Sequence, residues 1–190
     1  IWLELLRGEF LDVLTPIRCK RDKLIDPLND ELSKAIHLAV GKAQNIHREP
    51  MGNLILVLFD AEDDLACELG PAVLKRANEC RPDVDVASVV VNHCYETWFA
   101  ASAESLVDHL DLTGDLTLPS DPENDDMRKA WVAKRIRRAK YSETVDQARL
   151  TAAMDLTQCR AKSRSFDKLC RELEARLHTR PINEDPSASD

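Results

Sequence analysis

Four carboxylates, Asp60, Glu62, Asp63 and Asp64, crowd into five positions directly after the apolar run 54–59. A short unbroken apolar run bounded by turn formers predicts a strand buried on both faces, as in parallel sheets. Ligands of open α/β sheets bind beyond the carboxyl ends of the strands, which is where Asp60 and Glu62 fall. Carboxylates gathered at one strand end repel each other unless water or a cation neutralises them. Hard oxygen donors suit Mg²⁺, or Mn²⁺, held by one or two carboxylates with water filling the remaining positions. The same acids also suit a plainer role, closing the strand and opening the next helix at its positive pole. Spacing alone leaves both readings open.

A second chemical group lies further on. Residues 84–91 form another apolar, valine-rich stretch, followed by Asn92-His93-Cys94-Tyr95-Glu96. Glu96 would then stand just past a neighbouring strand end and face the Asp60 cluster if the strands run parallel. Among the cations, Arg18, in a patch with Lys20, Arg21 and Lys23 immediately after the extended segment 10–19, is a phosphate-binding candidate by its place at an expected strand end. Arg160, Lys162 and Arg164 form a second group which, with Lys140 and Tyr141, suits phosphate contacts. Each of these also fits an ordinary solvated surface.

The elements that must position these groups follow from periodicity and capping. Residues 1–7 read as the second half of a helix with no capping residue before it, which leads to the expectation of an upstream segment. Asp26-Pro27 supplies a cap and a first-turn proline for a helix through about residue 45, with Leu28, Leu32, Ile36 and Val40 as its apolar stripe and His37 outside it. A further helix is expected over 65–81, continuous or broken at Gly70-Pro71, with Val73, Leu74 and Ala77 inward. Residues 103–110 read as a short helix. The proline- and acid-containing stretch 113–126 is the expected boundary between an α/β domain, 1–112, and a helical C-terminal extension, 127–178, packed on the same domain. The extension begins with a basic helix over 126–139, carrying Trp131 and Ile136 for packing. It ends with one in which Ser165 caps a stripe of Phe166, Leu169, Cys170, Leu173 and Leu177. Residues 179–190 have the composition of a loose tail. Alternating strand and helix predicts a βαβ arrangement and an α/β fold with a mainly parallel sheet flanked by helices.

Composition narrows the function classes. At 190 residues with a net charge of −8, the chain is long enough for one real core and too acidic for its whole surface to bind nucleic acid. A local basic face stays compatible with nucleic acid. No stretch approaches the roughly 20 apolar residues needed to cross a bilayer, so no membrane partner is expected and the cytoplasm is the expected location. Six cysteines show no C-x-x-C and five histidines no zinc spacing, which points to free thiols in a reducing compartment.

The ordered series L-V-L-F-D-A-E-D-D, E-L-G-P, C-Y-E-T-W-F-A-A-S, K-Y-S-E-T-V-D-Q and R-S-F-D-K-L resembles a bacterial Toprim-like family catalogued as a domain of unknown function (DUF4276 type). The resemblance implies a Toprim-like sheet that holds Mg²⁺ through a glutamate and an Asp-x-Asp pair. That pair maps onto Asp60 and Glu62, with glutamate at its second position. Asp64 is the further metal-ligand candidate, and Glu96 matches the recurrent acid before the Trp-Phe pair. Asp60, Glu62 and Glu96 thereby become the candidate catalytic set. The family's N-terminal strand, with its V-E-G signature and proton-handling glutamate, has no counterpart here. The chain as given is therefore expected to be an incomplete catalyst, completed by an upstream segment or a homodimer. Members are commonly encoded beside ATPases, in some cases within phage-defence loci. The leading expectation is a Mg²⁺-dependent phosphodiester-processing protein, a nuclease component of such a system. The alternatives are a catalytically silent subunit binding an ATPase or nucleic acid, and a phosphohydrolase acting on a small substrate.

Overall fold

A computed structural model describes residues 13–46, 53–112, 121–123, 129–137 and 140–177. The helix expected over 1–7, most of the 113–126 boundary and the 179–190 tail lie outside the described residues.

Strand β1 (Leu54–Asp60) and strand β2 (Asp85–Val91) pair in parallel, Leu54 beside Asp85 and Asp60 beside Val91. The connection between them is helix α3 (Ala66–Cys80), so the expected βαβ order holds. Side chains of a strand alternate between faces, and each face meets a different set of helices. Ile55, Val57 and Phe59 of β1, with Val86 and Val90 of β2, pack against Leu24, Leu32, Ile36, Val73 and Ala77. Those partners belong to the short helix α1 (Arg21–Ile25), to α2 (Glu31–Ile46) and to α3. On the opposite face, Leu54, Leu56, Val89 and Val91 join Phe99, Leu106, Trp131, Leu150, Phe166 and Leu169. The fold is thus α/β, a parallel sheet between N-terminal and C-terminal helices.

The C-terminal layer comprises α4 (Glu96–Ala101), a 3-10 turn (Ala103–Leu106), α5 (Lys129–Arg135), a π turn (Glu143–Gln147), α6 (Ala148–Ala153), α7 (Leu156–Lys162) and α8 (Arg164–Leu177). It is pinned to the sheet at one end by Arg176, whose guanidinium donates to both Asp85 carboxylate oxygens at 2.7 and 2.9 Å.

Several local expectations shift. β2 is buried along nearly its whole length, but β1 is not, with Leu58 37% exposed. Among the described residues β1 has a strand on one side only, which leaves its outward positions less covered. Leu28 does not head the α2 stripe and is 95% exposed, whereas Leu32, Ile36 and Val40 are buried as expected. The reason lies in the turn before α2. The Asp26 carboxylate accepts the Leu28 N–H and the Asn29 side-chain oxygen accepts the Glu31 N–H, so helix geometry starts later. Helix α3 runs unbroken through Pro71, with Gly70 so close to β2 that a Cβ there would meet Val90 Cγ2 at 3.3 Å. At the start of α8 the capping oxygen is that of Ser163, which accepts the Phe166 N–H at 3.1 Å, and not that of Ser165. Arg76 of α3 ties down the α1–α2 turn by donating to the carbonyls of Leu24, Ile25, Asp26 and Asn29.

Candidate functional site

The parallel ladder continues past the ends of both strands. The Ala61 N–H donates to the Val91 carbonyl at 2.8 Å and the Glu62 N–H to the His93 carbonyl at 2.7 Å. His93 Nδ1 in turn lies 3.2 Å from the Glu62 carbonyl. Both residues adopt positive φ, 52° at Glu62 and 60° at His93. Non-glycine residues rarely occupy that region, and such backbone is held only where the surroundings over-determine it, often at functional sites. Here the two strand-end turns brace each other. They set Asp60 and Glu62 at one strand end beside Tyr95-Glu96 at the other.

Asp60 is largely covered, and the Tyr95 backbone N–H is directed at its carboxylate. Burial first, then the charges of Glu96 and Glu62, push the Asp60 carboxyl up to about 6, against the pull of that N–H and of Arg21. Glu96 opens α4 and is 3% exposed. Its Oε1 accepts the Tyr141 hydroxyl at 2.6 Å and the Gln147 amide at 3.0 Å. Burial, followed by this bond and the charge of Glu96, raises the Tyr141 phenol above its ordinary value. Burial and then Glu96 likewise push the Cys94 thiol up to about 11.

Arg21, the first residue of α1, closes the other side of the cluster. Its Nε donates to the Asp60 carbonyl at 2.8 Å, and its Nη2 donates to the Ala61 carbonyl at 2.6 Å and to the Asp64 carboxylate. Nη1 lies 3.7 Å from Glu62 and 3.5 Å from Asp22. Burial works against this guanidinium's charge, but the Asp64 bond and the charges of Glu62, Asp64 and Asp22 outweigh it and raise its pKa.

The donors at this place are carboxylate oxygens, which is the chemistry that suits a hard divalent cation. Among the described residues no group of three or more His, Cys, Asp or Glu side chains is gathered closely enough to cage a metal. Mg²⁺ does not need such a cage, since one or two carboxylates with water and substrate oxygens complete its shell. Asp60 and Glu62 fit that minimal role. Asp64 is bound by Arg21, and Glu96 is buried with Oε1 already accepting two donors.

The phosphate candidates divide into two groups. Arg160 donates to Asp167 at 2.9 Å and to Glu174 at 2.5 and 3.0 Å. Lys162 lies 3.0 Å from Glu104, and Arg164 3.2 Å from Glu123. These three knit the C-terminal helices and the Glu123 loop together. Arg18 and Lys140 are exposed, and in the chain they adjoin the segments that reach the acidic cluster, Arg18 near Arg21 and Lys140 next to Tyr141. Arg21 belongs to the basic patch that the sequence leaves open between a functional strand-end role and a solvated loop, and the structure turns it onto the acidic cluster; Gln147 is not among the sequence-predicted site residues. The K-Y-S-E-T-V-D-Q string, one of those that carry the family resemblance, is the available signal for Gln147.

A family model described as Domain of unknown function (DUF4276) matches residues 10–174. No curated protein and no solved structure matches the chain.

Proposed function

We propose that this chain, which belongs to the DUF4276 family, is a Toprim-like, Mg²⁺-dependent phosphodiester-processing protein, a nuclease component of a bacterial defence-type system. One observation carries the reading. Asp60, Glu62 and Glu96 converge at the carboxyl ends of adjacent parallel strands, where burial and mutual repulsion raise the proton affinity of Asp60. Such an arrangement destabilises the empty site and is relieved by a cation. Bound at Asp60 and Glu62, Mg²⁺ or Mn²⁺ would neutralise phosphate charge and orient water. Arg18 and Lys140, both exposed, are suited to hold the flanking phosphates. Glu96 lines the inner side of the cluster, and the Arg21 bonds to the Asp60 and Ala61 carbonyls keep the loop that carries Glu62 in place.

Mn²⁺ titration by calorimetry tests the metal, with the chain and Asp60→Ala run in parallel. Heat from the parent protein that disappears in the variant is expected, and equal heats from the two would remove the basis of the reading. Cleavage of single- and double-stranded DNA with and without Mg²⁺ then tests the reaction. A second reading, a catalytically silent subunit that binds an ATPase or nucleic acid, draws on Arg21. Its guanidinium already supplies a positive charge to Glu62 and Asp64, and a site neutralised from within can persist without a metal.

A further inference from the structure

Beyond Lys140, the string K-Y-S-E-T-V-D-Q supplies neither metal ligands nor phosphate contacts, yet Tyr141 and Gln147 reach Glu96 of the acidic cluster from the far side. Its backbone forms a π turn over Glu143–Gln147. Widened turns of this kind are rare, and they occur frequently at functional sites because they re-aim the side chains that follow. This one is closed by Asp146, fully buried, whose carboxylate accepts the Ser142 N–H at 2.8 Å while its own N–H donates to the Ser142 carbonyl at 2.7 Å. The result places Tyr141, just before the turn, and Gln147, at its end, on the same oxygen of Glu96 at 2.6 and 3.0 Å. Neither bond is required to build the sheet. Both converge on a carboxylate that opens the helix after β2, at the strand end neighbouring that of Asp60, and is almost sealed from solvent.

We propose that Tyr141 and Gln147 are positioning residues that fix Glu96 at the strand end beside that of Asp60 and thereby set the divalent-cation affinity of the Asp60–Glu62 pair. The proposal rests on the metal-binding reading above and extends it, because it makes the C-terminal helical layer a working wall of the site. The physical basis is general. A carboxylate fixed by two donors keeps a constant charge and orientation, and partners behind the ligands of a metal site tune it through such bonds. Replacing one of them typically lowers metal affinity by about 10–100-fold.

The experiment measures Mn²⁺ affinity by calorimetry or by the electron paramagnetic resonance signal of free Mn²⁺. It compares the full chain with Tyr141→Phe, Gln147→Met, Glu96→Ala and Tyr141→Phe/Glu96→Ala. Tyr141→Phe and Gln147→Met each keep the packed shape and remove only the donor, so circular dichroism should report an intact fold, and either one alone suffices. The expected result is a loss of about 10-fold or more for each donor variant. Tyr141→Phe should cause no further loss once Glu96 is alanine, a coupling that a merely structural tyrosine would not show. Unchanged or tighter Mn²⁺ binding in both donor variants would overturn the proposal while leaving the metal reading intact. Equal additional losses with and without Glu96 would overturn it as well. If the parent chain binds no Mn²⁺, or binds it equally after Asp60→Ala, the metal reading fails and the proposal falls with it.

Discussion

Replacing Asp60 by asparagine should make the protein more stable at neutral pH. Burial, Glu96 and Glu62 raise the Asp60 carboxyl from 3.8 to about 6, roughly two units. Each unit corresponds to about 1.4 kcal/mol of preference for the protonated form, so an ionised Asp60 costs the fold up to about 3 kcal/mol above its folded pKa. The sign follows from a pKa that is higher folded than unfolded. The group's stabilisation is complete below about pH 4, declines as pH rises, and is lost once pH passes about 6. Asp60→Asn cannot ionise and keeps an oxygen for the Tyr95 N–H. Urea melts of both proteins from pH 4 to 8, in a chelator, should show curves that nearly coincide at the acid end. They should separate between about pH 4 and 6 and reach a plateau gap of about 2–3 kcal/mol above that. Glu123 and Glu172, in both of which burial is outweighed by hydrogen bonds that hold the pKa below the ordinary glutamate value, are common to both proteins and cancel in the difference. Adding Mn²⁺ should narrow the gap by stabilising only the parent, by an amount set by ligand concentration over Kd. A gap that does not change with pH, or an Asp60→Asn protein less stable than its parent at pH 8, would refute the electrostatic account of this cluster.

Two further substitutions test how the site is held. The buried Glu123 carboxylate accepts the Ser165 N–H and the Ser163 and Ser165 hydroxyls, with Arg164 alongside, so Glu123→Ala leaves several polar groups without their acceptor. A loss of about 3 kcal/mol in guanidinium melts is expected, and a midpoint equal to the parent's would show that the loop is not anchored by this residue. Burial works against the Glu123 charge, but its serine and Arg164 bonds hold its pKa below 4.5. Its contribution is therefore present above that value and lost as pH falls through the folded pKa. Arg76→Met keeps the apolar stem and removes the donors to four carbonyls of the α1–α2 turn. About 2–3 kcal/mol of stability should be lost, with faster amide exchange concentrated in residues 21–30, and uniform exchange behaviour would argue against the clamp.

Sequence alone determined the elements whose signal is local. The run 54–59 could satisfy its backbone and bury its side chains as a short strand, and 84–91 likewise, so β1 and β2 were legible from apolar continuity and their bounding turns. Parallel pairing followed from the intervening helix, and with it the placing of Asp60 and Glu96 at neighbouring strand ends. What the tertiary structure decided are features with no periodic signature. Whether β1 is covered on both faces depends on which elements flank it, and composition could not distinguish the half-exposed Leu58 from its buried neighbours Val57 and Phe59. The fate of each cation depends on which carboxylate folding brings within reach. Arg160 and Arg21 read alike in the sequence, yet one joins two C-terminal helices and the other reaches across 39 residues to the Asp60 carbonyl. Tyr141 is grouped in the sequence with Lys140 and the Arg160 cluster for phosphate contacts, and the fold turns its hydroxyl inward to Glu96, 45 residues earlier. Local chemistry chooses helices, strands and caps, but the partner of a long polar side chain is set by distances that exist only after the layers have packed.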